Sequence, residues 1–276
     1  NYYEYLATDR FVAPYRLRPK NLSVILGYDP TNKDLASLSS FQVVKQNVEC
    51  IFAKGARIWG SADWDRQRSL EENVHQSLRA FGLFMSSQKS LDGFLFEIPT
   101  PDCGDNVEAF GEAVRRLLTC LSEADPDGYH CMRKSFVDRK GWVFRFAGEE
   151  AFVTSFSPVY PEMHPRHSFG ATSAYVLFQP YHSFLTHGVG TDTPHTNWEN
   201  PVTSRDRIRC RFYANGRPYL IRDTVAFPAA HDIVKPLGMH DPPVPWWCAP
   251  KCPFLAGSSS DGSGVANLDS PDGLEK

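Results

Sequence analysis

Three prolines, Pro158, Pro161 and Pro165, forbid a helix across Ser155–Gln179, SFSPVYPEMHPRHSFGATSAYVLFQ. Each fixes φ and removes a backbone donor. Aromatic and β-branched runs flank the prolines on both sides. The segment therefore reads as strand, rigid loop, strand. Its loop carries His164 and His167 with Arg166 between them. It presents imidazoles from a stiff frame, a way to hold a metal or a cofactor.

The chain around this segment is long enough, at 276 residues, for one large core or at most two domains. Hydrophobic residues make up 42% and charged residues 22%, as in an ordinary globular protein. The net charge of −3 and the scattered arginines give no basic stripe, so nucleic acid is not an expected partner. The 19 Phe, 11 Tyr and 6 Trp fill a large core or line a flat cofactor's pocket. No stretch approaches the roughly 20 apolar residues of a membrane span. No signal peptide is visible, and a cytoplasmic location is expected. Asn21-Leu22-Ser23 matches the glycosylation sequon, a pattern common by chance.

Residues 1–35 read as an aromatic, basic arm laid over the surface or over a partner subunit, which suggests a homodimer. Phe41–Lys54 reads as the end of a helix running into a short apolar stretch. Ser69 with Glu72 forms a capping box, and Val74, Leu78, Phe81 and Met85 give the following helix its apolar stripe. Gly93–Ile98 is a strand. Asp105 or Asn106 caps a second helix that ends near Ala124, where Asp125-Pro-Asp-Gly128 supplies turn chemistry. Trp142–Phe146 and Ala151–Phe156 are strands of a hairpin around Gly148-Glu-Glu150, and Ser173–Gln179 is a third strand. Tyr181–His187 is a helical turn and Ser204–Ala214 a basic helix. Helices and strands are partly segregated, which predicts an α+β fold with a mostly antiparallel sheet and packed helices. The expected organisation is one domain over 1–255, with the arm at its start, and a flexible tail over 256–276. No glycine-rich phosphate loop occurs.

His164-Pro-Arg-His167 is the sharpest chemical candidate, because neutral imidazole is a common metal and haem-iron ligand. The other histidines are dispersed, with no HExxH and no helical pair four apart. Cys50, four residues before Lys54, is a candidate thiolate if the lysine depresses its pKa; the alternative is a buried small hydrophobe. Glu97 and Glu162 are candidate partners for a cationic substrate in a dry pocket. The seven cysteines form no disulfide framework. Cys248 and Cys252, with His240 nearby, fall short of a structural zinc site.

Three short blocks, Ser157-Pro-Val-Tyr-Pro161, His164-Pro-Arg166 and Val176-Leu-Phe-Gln-Pro180, resemble the signature of the YqcI/YcgG family. That family includes haem-dependent N-hydroxylases of guanitoxin and D-cycloserine biosynthesis. Cys50-Ile-Phe-Ala-Lys54 and Lys251-Cys-Pro-Phe254 are similar to its outer segments, although Glu49 stands where the family pattern has proline. The resemblance covers roughly residues 40–255. It implies a haem pocket against the sheet, with b-type haem ligated by His164. His167 is the next choice, and Arg166 stands near the propionates. It also implies oxidoreductase chemistry: monooxygenation of an amine or guanidine nitrogen, as in arginine or a related amino acid. Dioxygen or peroxide and an external electron donor are the implied co-reactants, and Glu97 and Glu162 the catalytic carboxylates. Competing readings are a haem sensor or carrier without turnover, a zinc-structured or metal-free interaction protein, and an enzyme acting through Cys50.

Overall fold

The computed structural model describes residues 36–87, 91–189, 195–217, 219, 228–238 and 240–249. The expected N-terminal arm, the sequon, Cys252, the Lys251–Phe254 ending and the tail from 256 lie outside these residues. The described elements run α1 Ala36–Asn47, β1 Ile58–Gly60, α2 Leu70–Ser87, β2 Gly93–Pro99, α3 Val107–Glu123, β3 Phe144–Phe146, β4 Glu149–Phe156, β5 Ser173–Pro180, α4 Tyr181–Thr186, α5 Ser204–Ala214 and α6 Ala230–Ile233. Short 3-10 turns stand at Ala53–Gly55 and Cys131–Arg133.

The expected α+β class holds. The strands form one sheet in the order β1-β2-β5-β4-β3, with only β1 and β2 parallel. That parallel pair is joined through α2, because parallel strands need a crossover connection. β1 was not foreseen: three residues, Ile58-Trp-Gly60, are too short to show a period.

Alternation along the strands divides the sheet's two faces. Phe94, Phe96, Val176, Phe178, Phe144 and Val153 point to one face, under α2 and α3. Phe81 of α2 sits at its centre, with ring centroids 4.9–5.4 Å from Phe178, Phe146 and Phe94. Both helices begin where the sequence says they should. Ser69 and Glu72 satisfy each other's backbone N–H groups at 2.8 and 3.2 Å ahead of α2. The Asn106 side chain accepts from Ala109 N–H ahead of α3.

The hairpin turn lies at Ala147-Gly148, one residue earlier than the sequence suggests. Both residues have positive φ, 51° and 78°, as a two-residue hairpin turn with the right twist requires. Asp125 explains how an alanine is held there: its carboxylate accepts the Ala147 N–H at 2.8 Å.

Among the described residues, helix covers only part of the second face. Leu38, Phe41 and Val44 of α1 pack there on Leu95, Tyr175 and Leu177. The remainder of that face, Phe152 and Thr154 of β4 and Gln179 of β5, borders a cavity.

Candidate functional site

The proline-rich loop leaves β4 at Ser157 and returns at β5. It is rigid for more reasons than its prolines. Ser157 N–H donates to Arg166 O at 3.0 Å, so the two ends of its tip are tied. The segment 232–236 is then stapled across it. Ser155 Oγ donates to Ile233 O, and Tyr160 Oη donates to Lys235 O at 3.0 Å. Arg166 reaches both the backbone and the carboxylate of Asp232.

His164 and His167 play different parts in this frame. His164 is buried and stacks flat on Tyr160, with ring centroids 4.2 Å apart. Its Nδ1 accepts the Arg166 N–H at 3.1 Å. Its Nε2 must then carry the proton, which it donates to Pro236 O at 3.0 Å. Burial pushes its pKa down to about 4, so the ring is neutral. Neither nitrogen is left with a lone pair for a metal. His167 donates from Nδ1 to Tyr160 O at 2.8 Å, which leaves Nε2 as its lone-pair nitrogen. Its ring lies against Phe169, off the cavity wall.

The cavity measures about 580 Å³, within the roughly 300–1,000 Å³ of small-molecule and cofactor sites. Its walls are largely apolar: Phe152, Phe184, Leu185, Val189, Ile208 and Phe212. Arg166, Asp232 and Lys235 line one part. All three are at least nine-tenths buried. Two cations share one carboxylate there, Arg166 at 3.1 Å and Lys235 through its Nζ. Burial pushes the Asp232 carboxyl up, but Lys235 and Arg166 outweigh it and hold the acid below its ordinary value. The formal sum of the triad is one positive charge facing an apolar space.

A second polar group lines the cavity from α4. His187 Nε2 lies 2.7 Å from Asp92 Oδ1. The same carboxylate accepts from Ser183 Oγ at 3.1 Å and from the Arg57 backbone N–H at 2.8 Å. The topology explains this meeting across 95 residues. Asp92 immediately precedes β2, α4 immediately follows β5, and the two strands are antiparallel neighbours.

Cys50 also lines the cavity. Burial pushes its thiol up, while Lys54 is exposed. The thiolate expected from a lysine neighbour is therefore disfavoured at neutral pH. Glu97 and Glu162 do not line the cavity. Glu97 faces Ser173 and Ser40 beneath α1, and burial raises its pKa; Glu162 is exposed. The cavity's carboxylates are Asp92 and Asp232 instead. Among the described residues no group of three or more His, Cys, Asp or Glu is arranged to hold a metal ion. Also among them, no helix is long and apolar enough to cross a membrane.

Residues 42–210 match the YqcI/YcgG family. The chain belongs to that family. The YqcI/YcgG match spans the loop, Cys50, Asp92, Arg166 and His187, and stops before Asp232 and Lys235. No curated protein and no solved structure matches this YqcI/YcgG chain.

Sequence reasoning missed Asp92, Asp232 and Lys235. Asp92 sits before a strand with no motif around it, and Asp232 and Lys235 lie in a stretch without periodicity. His187 stands in the sequence only as the end of the Tyr181–His187 helical turn, among dispersed histidines.

Proposed function

We propose that the cavity is the site of a haem-dependent N-hydroxylase acting on an amine or guanidine nitrogen, the activity that the family resemblance implies. The observation carrying this reading is one wall: buried Arg166 and Lys235 sharing Asp232 beside an apolar space of about 580 Å³. A flat apolar macrocycle with two carboxylates suits such a wall. Arg166 and Lys235 would pair with its propionates, and Phe152, Phe184 and Ile208 would contact its faces and exclude water. A bound haem b would supply iron for activating dioxygen or peroxide, with electrons from an external donor.

Iron ligation by His164 fits this geometry poorly. Its two nitrogens already serve Arg166 N–H and Pro236 O, and a metal bond would cost one of these buried hydrogen bonds. His164 acts as a pin that holds Arg166 at the wall.

The test is a hemin titration of the full chain followed by absorption. Turnover with primary amines and alkylguanidines, in the presence of dioxygen and a reductant, is then followed by mass spectrometry. The expected result is a saturable haem band and a product one oxygen heavier at nitrogen. Absence of the band overturns haem binding. A band without product from any amine or guanidine leaves a haem carrier or sensor instead of an enzyme.

A further inference from the structure

We infer that His187 and Asp92 are the cavity's acid–base pair, with His187 as the base that takes a proton from the reacting nitrogen and Asp92 as its positioning residue. This rests on the nitrogen-substrate reading of the cavity. An alkylamine or a guanidine is protonated at neutral pH, and in an alkylammonium the nitrogen has no lone pair to offer an oxidant. One N–H bond must break before the nitrogen reacts. The proton must go to a group at the same cavity, while the electron pair stays on nitrogen.

The arrangement around His187 suits that task. A carboxylate oxygen only accepts, so the 2.7 Å contact to Asp92 fixes the proton of the neutral ring on Nε2. Nδ1 is then the basic nitrogen, and it has no hydrogen-bond partner among the described residues. When Nδ1 takes the proton, the resulting imidazolium faces Asp92.

That carboxylate is well prepared to stabilise it. Burial pushes Asp92 up, but the Arg57 N–H and His187 outweigh this and hold it below its ordinary value. Ser183 Oγ and the Arg57 N–H keep it from rotating away. The residue is steadied as well: the His187 backbone N–H donates to Ser183 O at 3.1 Å, and the Phe52 ring lies 5.3 Å from the imidazole. The side chain is 35% exposed, so the captured proton can pass to solvent. The other charged groups on the wall are Arg166, Arg205, Lys235 and Asp232; Asp92 is the one bonded to this ring.

The experiment is a pH titration of the full chain labelled with 15N-histidine, in wild type, Asp92→Asn and Ser183→Ala. The expected neutral form of His187 carries its proton on Nε2. Asp92→Asn takes the carboxylate's charge away from the imidazolium and should move the His187 transition to lower pH. Ser183→Ala, which removes a donor from the carboxylate, should raise it and serves if Asp92→Asn fails to fold. In turnover, Asp92→Asn should shift the acidic limb of the rate–pH profile, where the base loses activity by protonation, in the same direction. A neutral ring protonated on Nδ1, or a His187 titration that neither variant moves, overturns the inference. If no haem band forms while the His187 shifts appear as expected, the haem reading fails and the acid–base pair stands. If the band forms and the shifts do not, the reverse holds.

Discussion

Arg217 Nε lies 2.7 Å from Glu49 Oε1, with the two side chains only 10% and 4% exposed. The pair stands where this chain has glutamate in place of the family pattern's proline. Arg217 also donates from Nη1 to Glu162 O at 2.5 Å and to His164 O at 2.9 Å. Its guanidinium lies 4.5 Å from the Phe169 ring. One buried arginine thus ties the segment after α1 to both ends of the histidine turn.

Arg217→Met should therefore destabilise the fold by about 3–5 kcal/mol, because it leaves the Glu49 carboxylate buried without its partner. Adding Glu49→Met should recover part of the loss. Urea unfolding of the two singles and the double gives the coupling. Strictly additive losses would mean that the pair contributes nothing as a pair.

His164 makes stability depend on pH. Its pKa falls from an ordinary 6.5 to about 4 through burial. The unfolded chain therefore binds a proton that the folded chain does not between those two values. The contribution is full above pH 6.5 and is lost as pH falls toward 4, to a ceiling of about 3 kcal/mol. His164→Gln should show a shallower decline in urea midpoint between pH 7 and 4.5 than wild type. It should also keep the haem band at the wild-type position, since the imidazole is engaged at both nitrogens. Parallel declines, or a displaced band, would count against this role.

Phe81→Ala should cost about 3–5 kcal/mol, as expected for an aromatic side chain removed from a packed core. Phe81 is fully buried among rings of β2, β3 and β5 on the face under α2 and α3. The cavity lies on the opposite face, bordered by Phe152, Thr154 and Gln179. Calorimetry should thus show a lower Tm while hemin titration of the folded variant stays unchanged. A parallel loss of hemin binding would couple the two faces.

Local signals made much of this fold readable. The Ser69–Glu72 box, the Asn106 cap and the alternation in β2 and β5 each lie within a few residues of what they determine. α5 likewise begins at a capping box of Thr203 and Asp206. The loop at 157–172 was legible because proline acts on its own backbone. The chemistry inside the cavity was not. Asp92 meets His187 only because β2 and β5 pair, and Arg166 meets Asp232 across 66 residues and a stretch without periodicity. His164 was prominent in the sequence because of its neighbours Pro165 and Arg166. The same compact turn that makes the motif conspicuous directs the Arg166 N–H onto His164 Nδ1 and so occupies the nitrogen a metal would need.

The cation pair allows a test that separates recognition of carboxylates from burial of a macrocycle. Lys235 is almost fully buried, and burial lowers its pKa against the opposing pull of Asp232. Lys235→Met keeps much of the side chain's bulk and leaves Asp232 paired with Arg166 alone. The wall then has no net charge, and Asp232 remains ionised against its guanidinium. A charge-assisted contact is worth about 1.5–3 kcal/mol, so hemin should bind at least about tenfold more weakly. Hemin dimethyl ester lacks the carboxylates and should bind wild type and variant alike. Equal weakening for both ligands would show that Lys235 acts by packing. No weakening for either would place the propionates away from this wall, since without Lys235 the remaining Arg166 is neutralised by Asp232.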